Sequence, residues 1–555
     1  TSPGRSRSCK IATARAKVAP AVVTCRHVTA QLLLIRFRPQ ANQGAANGVQ
    51  ARSARILKLF KRRSSRPQQQ LAELPPPQGR SIAPHLPTIF FSSSTITRPI
   101  MLSRSAFARS AQRALRTQRR AFASAESPSL QYETTEAAGV KLANRDVGGP
   151  TTTLALVAKA GPRYQPFPGY TDALESFAFK STLKRSGLRI TREAELLGSE
   201  ITAKHTRENV VLQAKFLSED LPYFTELLAE VSSQTKYSPY EWNELVLPNI
   251  KLRQQVILEK AENLALNSAH ATAFHRGLGE SLFATSSTPV ESYVSSEGLT
   301  EFAQSAYAKP NIALVSVGPN SADVSKWVSQ FFGQQTSSTS SGQFKVKESV
   351  ASKFYGGEQR TASQAGNAIV LSFPGSAQFG TSGYKPEVAV LAALLGGESS
   401  IKWTPGFSLI GKATEGHRVK VSTKNYGYSD AGLFTISVSG KADSVAAVSK
   451  GAVDALKKVA AGEVAAEEVK KAIALAKFRA LEAAQVLETG VELTGSALIN
   501  GTKPLQISEV ASSFEKVSAQ QVQQLAKSFV SGKASVAVVG DLFKLPFAED
   551  LGLTV

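Results

Sequence analysis

Along residues 125–555 the alternation of apolar and polar positions runs through the same sequence of patterns twice. Each round begins with a short apolar run, Thr153-Leu-Ala-Leu-Val157 and then Ala368-Ile-Val-Leu-Ser372, which predicts a buried strand leading to a helix. Two alternating stretches follow, 200–205 with 209–217 in the first round and 417–423 with 432–439 in the second. Their period of two predicts a β-hairpin in each half. A 3.6-residue period then predicts amphipathic helices over 220–233 and 444–461. Each round closes with a helix that runs into an apolar strand ending in glycine, at Gly318 and Gly540. Mixed helices and strands with half-buried hairpins place the chain in the α+β class, as two homologous sandwich domains of mixed or antiparallel sheet covered by helices. The Ser/Gly/Gln-rich stretch 334–343 separates them, giving domains over 123–333 and 351–555 with a linker over 334–350.

Charge changes the picture at the N-terminus. The chain has 555 residues and a net charge of +22, yet residues 1–124 hold 23 Lys/Arg and one acid, Glu73, so the remainder is neutral overall. A nucleic-acid-binding role for the folded part loses its electrostatic footprint, and no nucleic acid is expected as a partner. Residues 1–100 read as a disordered basic extension and as a candidate gene-model artefact, because the single methionine is Met101. From Met101, Arg109, Arg113, Arg116 and Arg120 share one helical face opposite Phe107, Ala108, Ala111 and Leu115. That acid-poor amphipathic pattern predicts a mitochondrial targeting peptide over 101–122, cut near Phe122. Both cysteines, Cys9 and Cys25, precede the cut, so the mature chain has no thiol for a disulfide, an iron–sulfur cluster or catalysis. No apolar run in 125–555 is long enough to span a bilayer as a helix.

The chemistry-bearing stretch is Asp172-Ala-Leu-Glu175-Ser176, framed by Gly161-Pro-Arg-Tyr164 before it and Phe177-Ala-Phe-Lys180 after it. It resembles the H-x-x-E-H segment of the pitrilysin-type metallopeptidases, in which two His bind Zn²⁺ and the Glu polarises a water. The resemblance covers nearly all of 125–555. It points to the mitochondrial branch, which holds the two subunits of the processing peptidase and the two core subunits of the cytochrome bc1 complex. Active members carry a third ligand, a Glu about 76 residues further on. On that pattern Asp172 and Ser176 stand at the His positions and Arg253 falls at the distal Glu. A guanidinium repels a metal cation, so all three ligand positions are lost and neither zinc nor another cofactor is expected. Glu175, deprived of a metal-bound water, is expected to pair with Arg253 instead. The resemblance implies a structural, non-catalytic subunit on the matrix side of the mitochondrial inner membrane. Its implied partners are the first core subunit and the other subunits of a dimeric cytochrome bc1 complex, through which it meets the membrane. It also implies a cavity enclosed by the two domains.

Other candidates carry less. His270 and His275 are five apart, on different faces of a helix, where a metal pair needs i, i+4. His205 and His417 stand alone. Gly406-Phe-Ser-Leu-Ile-Gly-Lys412-Ala413 approaches a phosphate loop but lacks the final hydroxyl for Mg²⁺. Gly396-Gly397 lies where the resemblance puts the longer glycine-rich loop of the presequence-binding processing-peptidase subunit, and reads better as a helix C-cap. Tyr426-Gly-Tyr428 fits either an interface anchor or ordinary turn packing. In the helical stretch 463–484, Ala472, Leu475, Ala476 and Ala480 are expected to pack inward.

Overall fold

The computed structural model describes residues 131–285, 288–333, 342–397, 408–486 and 490–555. The segments expected to form a basic extension and a targeting peptide, and both cysteines, lie outside them. Within them the chain forms two sheets.

The first sheet has six strands, β1 (Glu133–Ala137), β2 (Val140–Asp146), β3 (Thr151–Ala158), β4 (Glu200–His205), β5 (Val210–Leu217) and β6 (Ile312–Gly318), in the order β1-β2-β6-β3-β5-β4. The second has β7 (Gly357–Ala362), β8 (Asn367–Pro374), β9 (Val419–Gly427), β10 (Gly432–Gly440) and β11 (Ser535–Gly540), in the order β7-β11-β8-β10-β9. Strand for strand the second repeats β2-β6-β3-β5-β4. Each sheet has one parallel pair, β2 with β6 and β7 with β11, and is otherwise antiparallel. The two hairpins fall where the alternation placed them. Strands β2 and β7, each parallel to its neighbour, and the extra edge strand β1 were not anticipated. β1, Glu-Thr-Thr-Glu-Ala, is mostly exposed and too polar for an apolar-run criterion.

The main helices are α1 (Tyr170–Phe177), α2 (Gly187–Leu196), α3 (Leu221–Gln234), α4 (Leu247–Leu258), α5 (Ala261–Phe274), α6 (Ser296–Ala306) and α7 (Ser321–Phe332) in the first half. The second half has α8 (Pro386–Leu395), α9 (Ala442–Ala461), α10 (Ala466–Gln485), α11 (Val491–Ile499), α12 (Ile507–Glu515) and α13 (Ala519–Ser531). Alternation sorts the strand residues onto two faces. Leu154 and Leu156 of β3 point into a core shared with Leu174, Phe224, Leu228 and Phe302, whereas Ala155 and Val157 point into a separate core on the opposite face. That opposite face is covered by α11, a helix of the second half, through Val491 and Leu498. The second sheet is covered reciprocally. Ala368, Val370, Ala537 and Val539 pack on Ala261, Ala265 and Ala269 of α5, a helix of the first half. Each half thus completes the other's core, with small side chains allowing close approach. At Gly495 of α11 a Cβ would lie 2.4 Å from Val157 Cγ2, so only glycine fits without displacement.

One expectation about packing fails. On α10, Ala472 and Ala476 are buried and Ala480 packs beside them, but Leu475 is 38% exposed. The alanines fill the narrow space over the core, and the larger side chain turns to solvent.

Candidate functional site

The three motif residues share one face of α1, at i, i+3 and i+4. The frame before the helix positions it. Gly161 packs so closely on the β4–β5 turn that a Cβ would sit 2.4 Å from the Glu208 backbone, and its N–H donates to the Glu208 carbonyl at 3.0 Å. Thr171 Oγ1 donates to the Ala160 carbonyl at 2.8 Å, which fixes α1 to the end of β3. Arg253 comes from α4, whose N-terminal side continues through a π-helical turn, Trp242–Val246. The structure therefore brings Asp172, Glu175 and Arg253 to one place, with Ser176 beside them.

Arg253 Nη1 donates to Glu175 Oε2 at 2.9 Å, the pairing expected from the sequence. A second cation was missed. His205, at the end of edge strand β4, makes a short contact through Nδ1 with the same Glu175 oxygen, and its Nε2 faces the Leu282 carbonyl at 2.7 Å. Both ring nitrogens meet acceptors, so the ring satisfies both contacts as an imidazolium. His205, isolated in the sequence, is therefore not isolated in the fold. No spacing relates residue 205 to residues 172–176, because the hairpin register brings them together only in the folded chain. Asp172 Oδ2 accepts from the Ala284 N–H at 2.8 Å. Phe283 closes one side, with the His205 ring edge-on at 4.9 Å and the Arg253 guanidinium 5.7 Å from its ring centre.

The electrostatics follow from these neighbours. Burial opposes charge on the Glu175 carboxyl, but the His205 contact and the Arg253 charge outweigh it and hold the pKa below the usual glutamate value. Burial likewise opposes charge on His205, and the Glu175 contact with the Asp172 and Glu175 charges reverses the balance, so its pKa is raised. Burial raises the Asp172 pKa against the pull of His205, the Ala284 N–H and Arg253.

This arrangement does not fit a catalytic zinc. Asp172 is engaged with a backbone N–H, Ser176 offers a hydroxyl, and Arg253 places a permanent cation on the carboxylate. The Ser176 Oγ is buried without a hydrogen-bond partner among the described residues. Glu175 faces two cations through one oxygen and is not poised to take a proton from water. No group of three or more His, Cys, Asp or Glu suited to a metal occurs among the described residues.

The frame residue Arg163 serves a different purpose. It bridges the halves, donating from Nη1 to Glu208 Oε1 at 2.7 Å and from Nη2 to Asp430 Oδ2 at 2.7 Å, and also to the Val350 carbonyl at 3.0 Å. Ser429 caps Glu208 through its N–H at 3.0 Å and its hydroxyl at 2.6 Å. Beside it, His270 Nδ1–H donates to the Leu266 carbonyl at 2.8 Å, so Nε2 accepts from the Tyr428 hydroxyl at 2.8 Å. Burial and the nearby Arg207 charge hold His270 well below the ordinary histidine pKa, as a neutral ring. Tyr428 is thus packed within the chain at a turn that joins the halves. His275 stacks on Tyr355 at 4.2 Å.

The remaining motifs are structural where they are described. Gly396 ends α8 with φ 70°, and its N–H reaches the Ala392 carbonyl, a glycine C-cap. Of the phosphate-loop-like stretch, Gly406 and Phe407 lie outside the described residues. Ser408 Oγ caps the short helix Leu409–Ala413, and Lys412 faces Glu468 at 3.6 Å. A cavity of about 510 Å³, lined by residues that include Gln234, Tyr237, Gln304 and Tyr307, lies in the helical layer of the first half. None of the four cluster residues lines it.

Comparison with known proteins sets this site in a family. The model of the insulinase family (peptidase family M16) matches residues 141–286, and that of the peptidase M16 inactive domain matches residues 293–475. The protein named cytochrome b-c1 complex subunit 2, mitochondrial, of Neurospora crassa is 52% identical over 463 residues, which covers 82% of this chain and 100% of that protein. Its namesake in Yarrowia lipolytica is 35% identical over 422 residues, covering 76% and 96%. The mitochondrial-processing peptidase subunit alpha-2 of Dictyostelium discoideum is 27% identical over 441 residues, covering 77% and 95%.

Proposed function

The chain belongs to the M16 peptidase family, and we propose that it works as a non-catalytic core subunit of the mitochondrial cytochrome bc1 complex, respiratory complex III. The observation that carries this reading is the Asp172–Glu175–His205–Arg253 cluster, where the peptidase's metal position has become an ion-paired join between α1, α4 and β4. A chain that keeps the scaffold without the chemistry contributes shape and surface. The similarity to relatives named as subunit 2 of that complex, at 52% and 35% identity, says which assembly uses the surface.

The chain sits on the matrix side of the inner membrane, paired with the first core subunit, and contributes to the stability of a dimeric complex. Electron transfer and quinol chemistry belong to its partners. No helix among the described residues is long and apolar enough to cross a membrane, in keeping with a peripheral place held through other subunits. The presequence-binding subunit of the processing peptidase is the weaker alternative. It rests on lower identity, and Gly396-Gly397 is accounted for as a helix cap.

Native electrophoresis of detergent-extracted mitochondrial membranes tests the assignment. The chain is expected in a membrane-bound assembly together with cytochrome b, without stoichiometric zinc. Recovery instead as a soluble heterodimer of about 100 kDa that cleaves presequences would overturn it.

A further inference from the structure

The residue that packed the wrong way on α10 belongs to a larger pattern. Along its inward face this helix carries the small residues Ala472, Ala476 and Ala480. Its outward face carries Leu475, Phe478 and Leu481, exposed by 38%, 60% and 39%. At about 100° per residue these three, with Ala474, form one narrow strip. The narrow space over the core accounts for the alanines on the inward face, but it calls for no large apolar side chains on the face turned to water.

Cations border the strip on both flanks. Lys470 borders it on one flank and Arg479 on the other, and Lys471 stands at its N-terminal end. All three are exposed and form no salt bridge among the described residues, whereas Lys477 is paired with Glu515 and Lys412 with Glu468. The acids on this face lie beyond its ends, Glu482 at the C-terminal end and Glu467 one turn before Lys471. From Ala474 to Leu481 the strip covers eight residues, about 10.5 Å of helix at 1.5 Å per residue.

We propose that the outward face of α10 is a docking surface for an amphipathic helix of another subunit, one whose apolar stripe is bordered by Asp or Glu. The strip has the width of a single helix contact, and its ridge of side chains three and four apart suits ridge-into-groove packing. The flanking cations select acidic borders on the partner. A lipid surface suits the strip less well: it is too short to lie in a bilayer interface, and Glu482 would face anionic headgroups. This inference rests on the assignment to a multisubunit complex.

The test uses the full chain in its own mitochondria, replaced by Phe478→Glu or by the triple change Lys470→Glu, Lys471→Glu and Arg479→Glu. Both sets of positions are exposed, so the thermal midpoint of the purified variants should match wild type. The fraction of chain that co-migrates with the detergent-extracted complex should fall at least about tenfold for Phe478→Glu, as for loss of an interface anchor. The triple variant should fall less, with a steeper dependence on salt. Undiminished incorporation of both variants, with wild type present in the complex, would overturn the surface and leave the functional assignment standing. Wild type absent from the complex would remove both. Two further results would overturn the helix partner. One is binding of the purified chain to vesicles of phosphatidylcholine with phosphatidylglycerol that Phe478→Glu abolishes. The other is self-association in sedimentation that the same change abolishes.

Discussion

Arg163→Met is the most demanding test of how the two halves are joined. The Arg163 side chain is 2% exposed, that of Glu208 6% and that of Asp430 31%. Removing the guanidinium leaves Glu208 without its counter-charge in the interior, and breaking such a buried pair costs about 3–5 kcal/mol. Asp430 is nearly a third exposed, so water screens its loss and it adds little. The bond to the Val350 carbonyl adds about 1 kcal/mol. Against this, Ser429 still caps Glu208, and the Ser352 N–H still donates to Asp430 at 2.8 Å. The balance is a loss of about 4 kcal/mol. Arg163→Lys keeps a charge but not the planar fork, and should lose about half as much. Urea unfolding at pH 7 measures both variants in a Trp403→Phe background, followed by far-UV circular dichroism for the whole chain and by tryptophan fluorescence, which then reports only Trp242 and Trp327 of the first half. Because Arg163 ties the β4–β5 turn to the β9–β10 turn, the two probes should separate in Arg163→Met and coincide in wild type. A loss below about 1 kcal/mol with coincident transitions would show that the junction does not depend on this triad.

The other expected outcomes concern the cluster and the exchanged helix. His205 has a raised pKa, so its contribution is complete below about 6.5 and is lost as pH rises through the folded value; Glu175 has a lowered pKa, so its share is complete above about 4.5 and is lost as pH falls through the folded value. The stability difference between wild type and His205→Gln should therefore be greatest between about pH 4.5 and 6.5 and shrink towards pH 9, whereas a difference independent of pH would refute the imidazolium assignment. Combining Asp172→His, Ser176→His and Arg253→Glu should restore zinc at one ion per chain by elemental analysis, whereas Arg253→Glu alone should not; zinc bound equally by both would mean that the α1 positions are not the missing ligands. Gly495→Ala should destabilise the chain by about 1–3 kcal/mol in chemical denaturation, because crowding against Val157 exceeds the roughly 1 kcal/mol gain in helix propensity; a stabilised variant would contradict the close approach of α11 to the first sheet.

How legible all this was depends on whether a feature is written in local periodicity. Strands β3, β5, β6, β8, β10 and β11 carry apolar residues on one or both faces and announce themselves. The hairpins and the two-fold recurrence followed from these. The exchange of α5 and α11 between the halves was invisible because its contacts are made by Ala261, Ala265, Ala269 and Gly495, residues whose role is to be small. Leu475 was misplaced for the converse reason. A hydrophobicity pattern ranks leucine above alanine for burial, but available volume decided in favour of the alanines. In the site, Asp172, Glu175, Ser176 and Arg253 were found through a motif frame, which fixes positions along the chain. His205 has no such frame, because its proximity to Glu175 arises from strand register and the placing of α1 over the edge of the sheet.

That missing residue alters how the cluster is understood. With Arg253 alone, Glu175 is a leftover carboxylate answered by one partly exposed cation. With His205 included, two carboxylates, Asp172 and Glu175, face an imidazolium and a guanidinium. Those two cations carry the formal charge of a divalent ion. Asp172 stands at a motif His position beside Glu175, so without nearby cations two buried acids would repel each other. Supplying the charge from α4 and from the end of β4 offsets that repulsion and ties α1 to both elements. The same substitution occupies the oxygen that a catalytic base would need. Loss of peptidase chemistry and retention of the peptidase shape are therefore two consequences of one rearrangement, in which fixed side chains do the electrostatic work of an exchangeable ion.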